Sequence, residues 1–287
     1  MKGQIKVTCL QTRPQPDFDS AIDEALRQAA KASADSQLLL LPEYCSGFKV
    51  VDGGFAPPAA AEASNPMLRA MQDLAKERSQ WIVVGSVAIP AGDKINNRGY
   101  VIDDTGALCS SYNKIHLFDI QLSSTEVYRE SDIVAPGNQL SLTRTPAGVL
   151  GHTICYDLRF PQLYRDLAQA GAEILTIPAA FTRATGKAHW HALCRARAIE
   201  NGAYVIAPCA VGDIPGGGGS YGHSLVVNPW GEIIADAGEE PGIVEAFIDL
   251  SQVSSARERI PSLTHDRVYD PASDSAHSTA LKRDNVA

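Results

Sequence analysis

Three things are missing from this chain of 287 residues. No apolar run approaches the length of a membrane span, so no membrane partner is expected. No Lys/Arg-rich run appears, and the net charge of −8 argues against a nucleic-acid partner. No Cys-x-x-Cys pair appears either. Cys9, Cys45, Cys109, Cys155, Cys194 and Cys209 are widely scattered, which excludes a disulfide framework or a zinc pattern. Mostly buried free thiols in a reducing cytoplasm are expected. Met1 to Gln11 lacks the long apolar core and small-residue cleavage site of a signal peptide and reads as a strand. What is present is ordinary globular composition, 45% apolar and 20% charged. That suffices for a sizeable core in a single large α/β layered domain.

Periodicity divides the chain into two similar halves. In the first, Ile5 to Leu10 reads as a strand and Asp17 to Ala34 as a helix, with Ile22, Ala25, Leu26, Ala29 and Ala30 on one face. Gln37 to Leu41 is a continuous apolar strand of the kind buried on both faces. Asn65 caps a helix to Arg78 with Pro66 at its first position. Trp81 to Ile89 is a strand, and Gly99–Asp103 with Ala107–Tyr112 forms a hairpin. The second half repeats the order. Val149–Ile154 is a strand, Pro161–Ala170 a helix, Glu173–Ile177 a strand, Ala188–Asn201 a helix stopped by Gly202, and Ala203–Ala210 a strand. A hairpin around Asn228-Pro229-Trp230-Gly231 follows. Two β-α-β-α-β-β halves predict a four-layer α-β-β-α sandwich of two mixed sheets. From Pro261 the chain turns polar and predicts an extended tail or an arm over a partner.

Three reactive residues fall at predicted strand ends. Glu43 follows Leu38-Leu-Leu-Leu-Pro, where a carboxylate loses solvent and suits a general base. Lys114 follows a hairpin strand among bulky apolar residues, placed to hold a thiolate and to meet a developing oxyanion. Cys155 lies where a strand stops and a helix begins, a corner that opens into the crevice of α/β folds. The positive helix end favours thiolate there. Each has a plainer reading alone: a turn cap for Glu43, a surface lysine for Lys114, a small core residue for Cys155. The conjunction of base, cation and thiol favours chemistry. Cys9 reads as the echo of Cys155 in the other half, and Ala179 as the echo of Glu43.

With these residues in place, the chain resembles the nitrilase (carbon–nitrogen hydrolase) superfamily. The resemblance runs from Ile5 to about Tyr269. It rests on Leu41-Pro-Glu-Tyr, Tyr112-Asn-Lys-Ile-His-Leu-Phe-Asp and Cys155-Tyr-Asp-Leu-Arg-Phe-Pro. Tyr221-Gly-His-Ser-Leu-Val-Val-Asn-Pro-Trp-Gly and Arg195-Ala-Arg-Ala-Ile-Glu place it nearest the Nit branch of ω-amidases and deaminated-glutathione amidases. The resemblance implies one carbon–nitrogen hydrolase domain over residues 1–270, a tail over 271–287, and a homodimer or higher homo-oligomer. It implies a Glu43-Lys114-Cys155 catalytic set supported by Glu130, with no cofactor. Cys155 attacks a linear amide, Lys114 and the backbone N–H of Tyr156 hold the oxyanion, and a thioester is hydrolysed after ammonia leaves. The amide of an α-keto metabolite, deaminated glutathione first, is the expected substrate. The alternatives are α-ketoglutaramate, an N-carbamoyl amino acid, a nitrile, or a catalytically inert binding protein on this fold.

The remaining features carry smaller expectations. Phe181 and Thr182 follow the strand ending at Pro178 and are expected to touch substrate. Asp157 and Arg159 are expected to brace the corner as an ion pair, with Arg159 also able to meet a substrate carboxylate. His116 is expected behind the site. His189 and His191 are two apart on a helix, on different faces, and no acidic partner completes a site, so packing and capping rather than metal are expected. Gly216 to Gly219 does not lead into a helix and is expected to be a surface loop.

Overall fold

Leu38–Leu40 shows how one apolar run serves two layers. Alternate side chains point to opposite faces of a strand. Leu39 and Leu41 join Ala25, Met67, Met71 and Ala75 beneath the helices. Leu38 and Leu40 join Val83, Ile174, Ile206 and Val226 between the sheets. The computed structural model, which describes residues 4–123 and 127–270, repeats this arrangement in both halves.

The first sheet has the strand order Gly242–Ile248, Ile5–Gln11, Leu38–Leu40, Trp81–Ala91, Lys94–Ile102, Leu108–Asn113. The second has Leu142–Thr145, Gly148–His152, Ile174–Thr176, Tyr204–Ala207, Leu225–Val227, Ile233–Asp236. Both run antiparallel, parallel, parallel, antiparallel, antiparallel from one edge to the other. Helices Phe18–Ala29 and Pro66–Arg78 cover the first sheet, and Pro161–Gln169 and Arg183–Asn201 cover the second. The four-layer sandwich and its internal repeat are therefore present.

The local signals explain the element ends. Asn65 caps its helix by accepting from the amides of Met67 and Leu68, ahead of Pro66. Gly202 closes the Arg183–Asn201 helix at φ +50°, a left-handed turn that glycine adopts without strain. That helix begins five residues before the expected Ala188. Phe18–Ala29 ends five residues short of Ala34, and its buried face is Ala21, Glu24, Ala25, Gln28 and Ala29, with Leu26 exposed. Two outer strands were not foreseen: Leu142–Thr145, and Gly242–Ile248, which returns to the first sheet.

The register corrects one expected equivalence. Val7 pairs with Leu38 and Leu150 with Ile174, so the match to Cys9 is His152 and the match to Cys155 is Thr12. Cys9 sits inside its strand in the inter-sheet core, fully buried, not at the corner. The same register keeps Ala179 as the match to Glu43, three residues past Thr176 and Leu40 respectively. The polar segment after Pro261 does not extend freely at its start. Arg165 donates to Asp266 at 2.9 Å and Gln169 to Leu263 O at 2.8 Å, which docks it on the Pro161–Gln169 helix. The expected tail over 271–287 lies outside the described residues.

Candidate active site

Three loops converge at strand ends of both sheets. Glu43 follows Leu38–Leu40, Cys155 follows Gly148–His152, and Lys114 follows Leu108–Asn113. Tyr44, beside Glu43, and Cys155 itself both hold φ +48°. A left-handed backbone at non-glycine residues is strained and persists only where surroundings enforce it. Here the Cys155 amide donates to Pro178 O at 2.9 Å, and the Tyr44 amide donates to Ser86 Oγ at 2.9 Å.

The charged groups form one buried cluster. Lys114 Nζ donates to Glu43 Oε1 at 2.8 Å and to Glu130 Oε2 at 2.8 Å. All three side chains are at most 4% exposed. Asn97 Nδ2 bridges the same carboxylates, at 2.9 Å to Glu43 and 3.2 Å to Glu130. The Phe118 amide donates to Glu130 Oε2 at 2.7 Å, and the Ala180 amide to Glu43 Oε2 at 2.9 Å. Burial opposes charge on Lys114, but Glu130 and then Glu43 outweigh it, so the ammonium is held well above its usual range. Glu43, Lys114, Glu130 and Cys155 thus share one site.

The thiol differs from expectation. Burial, then the charge of Glu43, push Cys155 well above the usual thiol range, and Lys114 only partly opposes them. Burial therefore works against the thiolate expected from the helix end, which suits a base beside the sulfur.

Asp157 secures the corner, with other partners than expected. It is fully buried and accepts from Tyr112 Oη at 2.8 Å, Ile154 N at 2.9 Å, His116 N at 3.0 Å and His116 Nδ1 at 2.8 Å. No Asp157–Arg159 ion pair forms. Arg159 lies over the rings of Tyr156 and Phe181, 5.8 and 5.5 Å from their centroids, with Nη2 3.3 Å from His189 Nδ1.

Above the thiol opens a cavity of about 610 Å³, within the range of small-molecule sites. Phe181 and Thr182 line it, and Arg159 and Tyr156 do not. An aromatic chain forms one wall: Tyr44 on Phe48 at 5.0 Å, Phe48 on Phe55 at 5.3 Å, Phe55 on Tyr128 at 5.8 Å, Tyr128 on Phe118 at 5.1 Å. Gly217, Gly218 and Gly219 also line it, so the glycine run is part of the site rather than a plain surface loop.

Several contributors carry no motif in the sequence. Asn97 is a fully buried amide on a strand, and its only local signal is a polar residue at an inward position. Gly85 sits at a bulge of Trp81–Ala91, where a Cβ would overlap the carbonyl oxygens of Leu41 and Pro42 and lie 2.6 Å from Pro178 Cβ. It lets the base-bearing loop meet the Pro178 loop, whose carbonyl holds the Cys155 amide. The expectation that His191 lacks an acidic partner is also corrected: Asp236, 45 residues away, lies 3.1 Å from its Nε2. His189 faces Arg159 instead.

A buried thiol, carboxylate and ammonium meet in one cavity at the strand ends of an α-β-β-α sandwich. The chain belongs to the carbon–nitrogen hydrolase family, which it matches over residues 6–258. It is a hydrolase of non-peptide carbon–nitrogen bonds, of the nitrilase superfamily's Nit type. It is 41% identical to the deaminated glutathione amidase of Dictyostelium discoideum over 69% of this chain and 70% of that one. It is 36% identical to the omega-amidase NIT2 of Bos taurus over 84% and 86%. The crystal structure of Saccharomyces cerevisiae Nit3 superposes with a TM-score of 0.77 at 30% identity, covering 90% of this chain and 95% of that one. Among the described residues, no helix is long and apolar enough to cross a membrane.

Proposed function

We propose that this protein hydrolyses the amide of an α-keto metabolite, deaminated glutathione first, through a thioester on Cys155. The observation that carries the mechanism is the position of Lys114 Nζ, 2.8 Å from Glu43 Oε1, in a cavity that both share with Cys155. Glu43 takes the thiol proton as sulfur attacks the amide carbon. The oxyanion forms between Lys114 and the backbone N–H of Tyr156, each donor contributing roughly 3 kcal/mol to the transition state. The Tyr156 amide suits this role because, among the described residues, it donates no hydrogen bond outside its own helical turn. The tetrahedral intermediate collapses, Glu43 returns its proton to the departing amine, and the thioester remains. Glu43 then deprotonates a water that attacks the thioester and releases the carboxylate. Glu130 and Asn97 hold Lys114 and Glu43 in register throughout.

The substrate fixes the leaving group. In deaminated glutathione the scissile nitrogen belongs to the cysteinyl residue, so the amine released is a dipeptide and not the ammonia expected at first. Ammonia marks the second reading, an ω-amide such as α-ketoglutaramate, which the bovine relative supports. A cavity of about 610 Å³ lies within the range of small-molecule sites, which supports either reading. A reducing cytoplasm suits the six free cysteines, five of them buried, and a homodimer remains part of the proposal.

The test measures dipeptide and ammonia release across deaminated glutathione, ω-amides, N-carbamoyl amino acids and nitriles. Release of carbon dioxide with ammonia marks a carbamoylase, and turnover of nitriles alone a nitrilase. Cys155→Ala is expected to abolish turnover, and Glu43→Gln to slow both acylation and hydrolysis. Retained turnover in Cys155→Ala, or an acyl adduct mapped to another cysteine, sinks the mechanism.

A further inference from the structure

We infer a binding site for one divalent transition metal of the zinc class, built from His191, His223 and Asp236. Three separate elements supply the ligands. His191 comes from the helix Arg183–Asn201, His223 from the turn before Leu225–Val227, and Asp236 from the end of Ile233–Asp236. His191 Nε2 lies 3.1 Å from Asp236 Oδ2, and His223 Nδ1 lies 2.9 Å from Asp236 Oδ1. The donor atoms of all three residues lie within 4.8 Å of one another.

That spacing is close to a coordination sphere. Zinc binds imidazole nitrogen and carboxylate oxygen at about 2.0–2.2 Å, so tetrahedral ligands stand roughly 3.4 Å apart. Two edges of the triangle are already near that value. Two imidazoles with one carboxylate suit zinc, cobalt or nickel and not magnesium or calcium, which prefer all-oxygen shells. The side chains are 32%, 18% and 33% exposed in the order His191, His223, Asp236. An ion can therefore enter, and water can complete the fourth position.

The surroundings hold the ligands in place. Gly222 and His223 adopt successive left-handed conformations, φ +78° and +53°. Strain of this kind at a non-glycine residue gathers at ligand clamps. His223 is pinned on both sides: its amide donates to Gly238 O at 2.7 Å and its carbonyl accepts from Trp190 Nε1 at 2.8 Å. The Tyr221 ring stacks on His223 at 4.6 Å, and the Gly238 amide donates to Asp236 Oδ1 at 2.9 Å. Glu239 Oε1 lies 3.7 Å from His223 Nε2, the nitrogen left over when Nδ1 binds metal. A carboxylate behind a ligating imidazole fixes its tautomer and raises its basicity. Trp190 also meets Phe181 at 5.0 Å, which ties the site to the wall of the amide-hydrolysing cavity.

The site is tested by calorimetric titration of the full chain with zinc, in a Cys155→Ala, Cys109→Ser background that removes the two competing thiols. One equivalent is expected to bind with micromolar or tighter affinity. Cobalt is expected to give weak visible bands without thiolate charge transfer. His191→Gln keeps a donor for Asp236 on a partly exposed helix position, so its fold is expected to survive by circular dichroism. It and Asp236→Asn should each weaken zinc binding at least about 100-fold. No binding below millimolar zinc overturns the inference. So does binding of equal strength in folded His191→Gln, or a cobalt spectrum dominated by thiolate.

Discussion

Replacing Gly85 by alanine tests whether the approach of the two sheets builds the site. The strand Trp81–Ala91 bulges at this point between Val84 and Val87. On one side of Gly85 is the Leu41-Pro42 backbone that leads into Glu43, and on the other is Pro178, whose carbonyl holds the Cys155 amide. An alanine Cβ would lie 2.6 Å from Pro178 Cβ, whereas ordinary contact begins at 3.4 Å, so Pro178 must retreat by about 0.8 Å. The carbonyl oxygens of Leu41 and Pro42 overlap the new atom more deeply and are backbone, so they cannot rotate away. Overpacking of this size costs about 1–3 kcal/mol of stability. The larger effect is on rate: separating base from nucleophile by about 1 Å lowers kcat/KM roughly 100-fold. Steady-state kinetics on the best amide, with urea denaturation alongside, measures both. Gly242→Ala is the control, because nothing lies within 4 Å of its Cβ position. A folded Gly85→Ala enzyme within threefold of wild-type kcat/KM would refute the reasoning.

Two further outcomes follow from the buried groups. Asp157→Asn keeps the shape but turns a donor toward groups that already donate, and should cost roughly 3 kcal/mol. A urea midpoint unchanged from wild type contradicts the four-bond role of that carboxylate. Burial pushes Cys45 and Cys209 from 9.0 up to about 12. Both states keep these protons below pH 9, so the stability they contribute is complete there. Above pH 9 the unfolded chain ionises first, and stability falls by about 1.4 kcal/mol per thiol per pH unit until the folded thiols titrate. Urea melts between pH 8.5 and 10.5 should show a shallower decline in Cys45→Ala, Cys209→Ala, and equal slopes contradict the assignment.

What could be read from the sequence was local. Asn65-Pro66 announces a helix start because a cap acts within three residues. Leu38 to Leu41 announces a doubly covered strand because both faces are apolar. The β-α-β-α-β-β repeat then gives the layers. The strand-end positions of Glu43, Lys114 and Cys155 follow from the same periodicity, and their meeting in one cavity follows from the fold. Long-range register was not legible. Cys9 looked like a corner by distance along the chain, yet its pairing with Leu40 puts it inside the strand. Asp157 and Arg159 looked like a pair because they are neighbours, but the buried carboxylate found Tyr112 and His116, more than 40 residues away. His191 and Asp236 meet only because a hairpin lies across a helix, which no spacing on that helix reveals. Gly85 carries no motif at all, since its role depends on two other loops.

The return of Gly242–Ile248 to pair along the whole of Ile5–Gln11 sets an order of events during synthesis. At about 5–20 residues per second, roughly 10–50 s pass between the emergence of the first strand and that of its partner. Through that interval Ile5–Gln11 is an open edge, with unpaired amides and carbonyls on one side. A chain stopped before Gly242 therefore ends as a sticky sheet rather than a smaller enzyme, although every residue around the cavity has already been made.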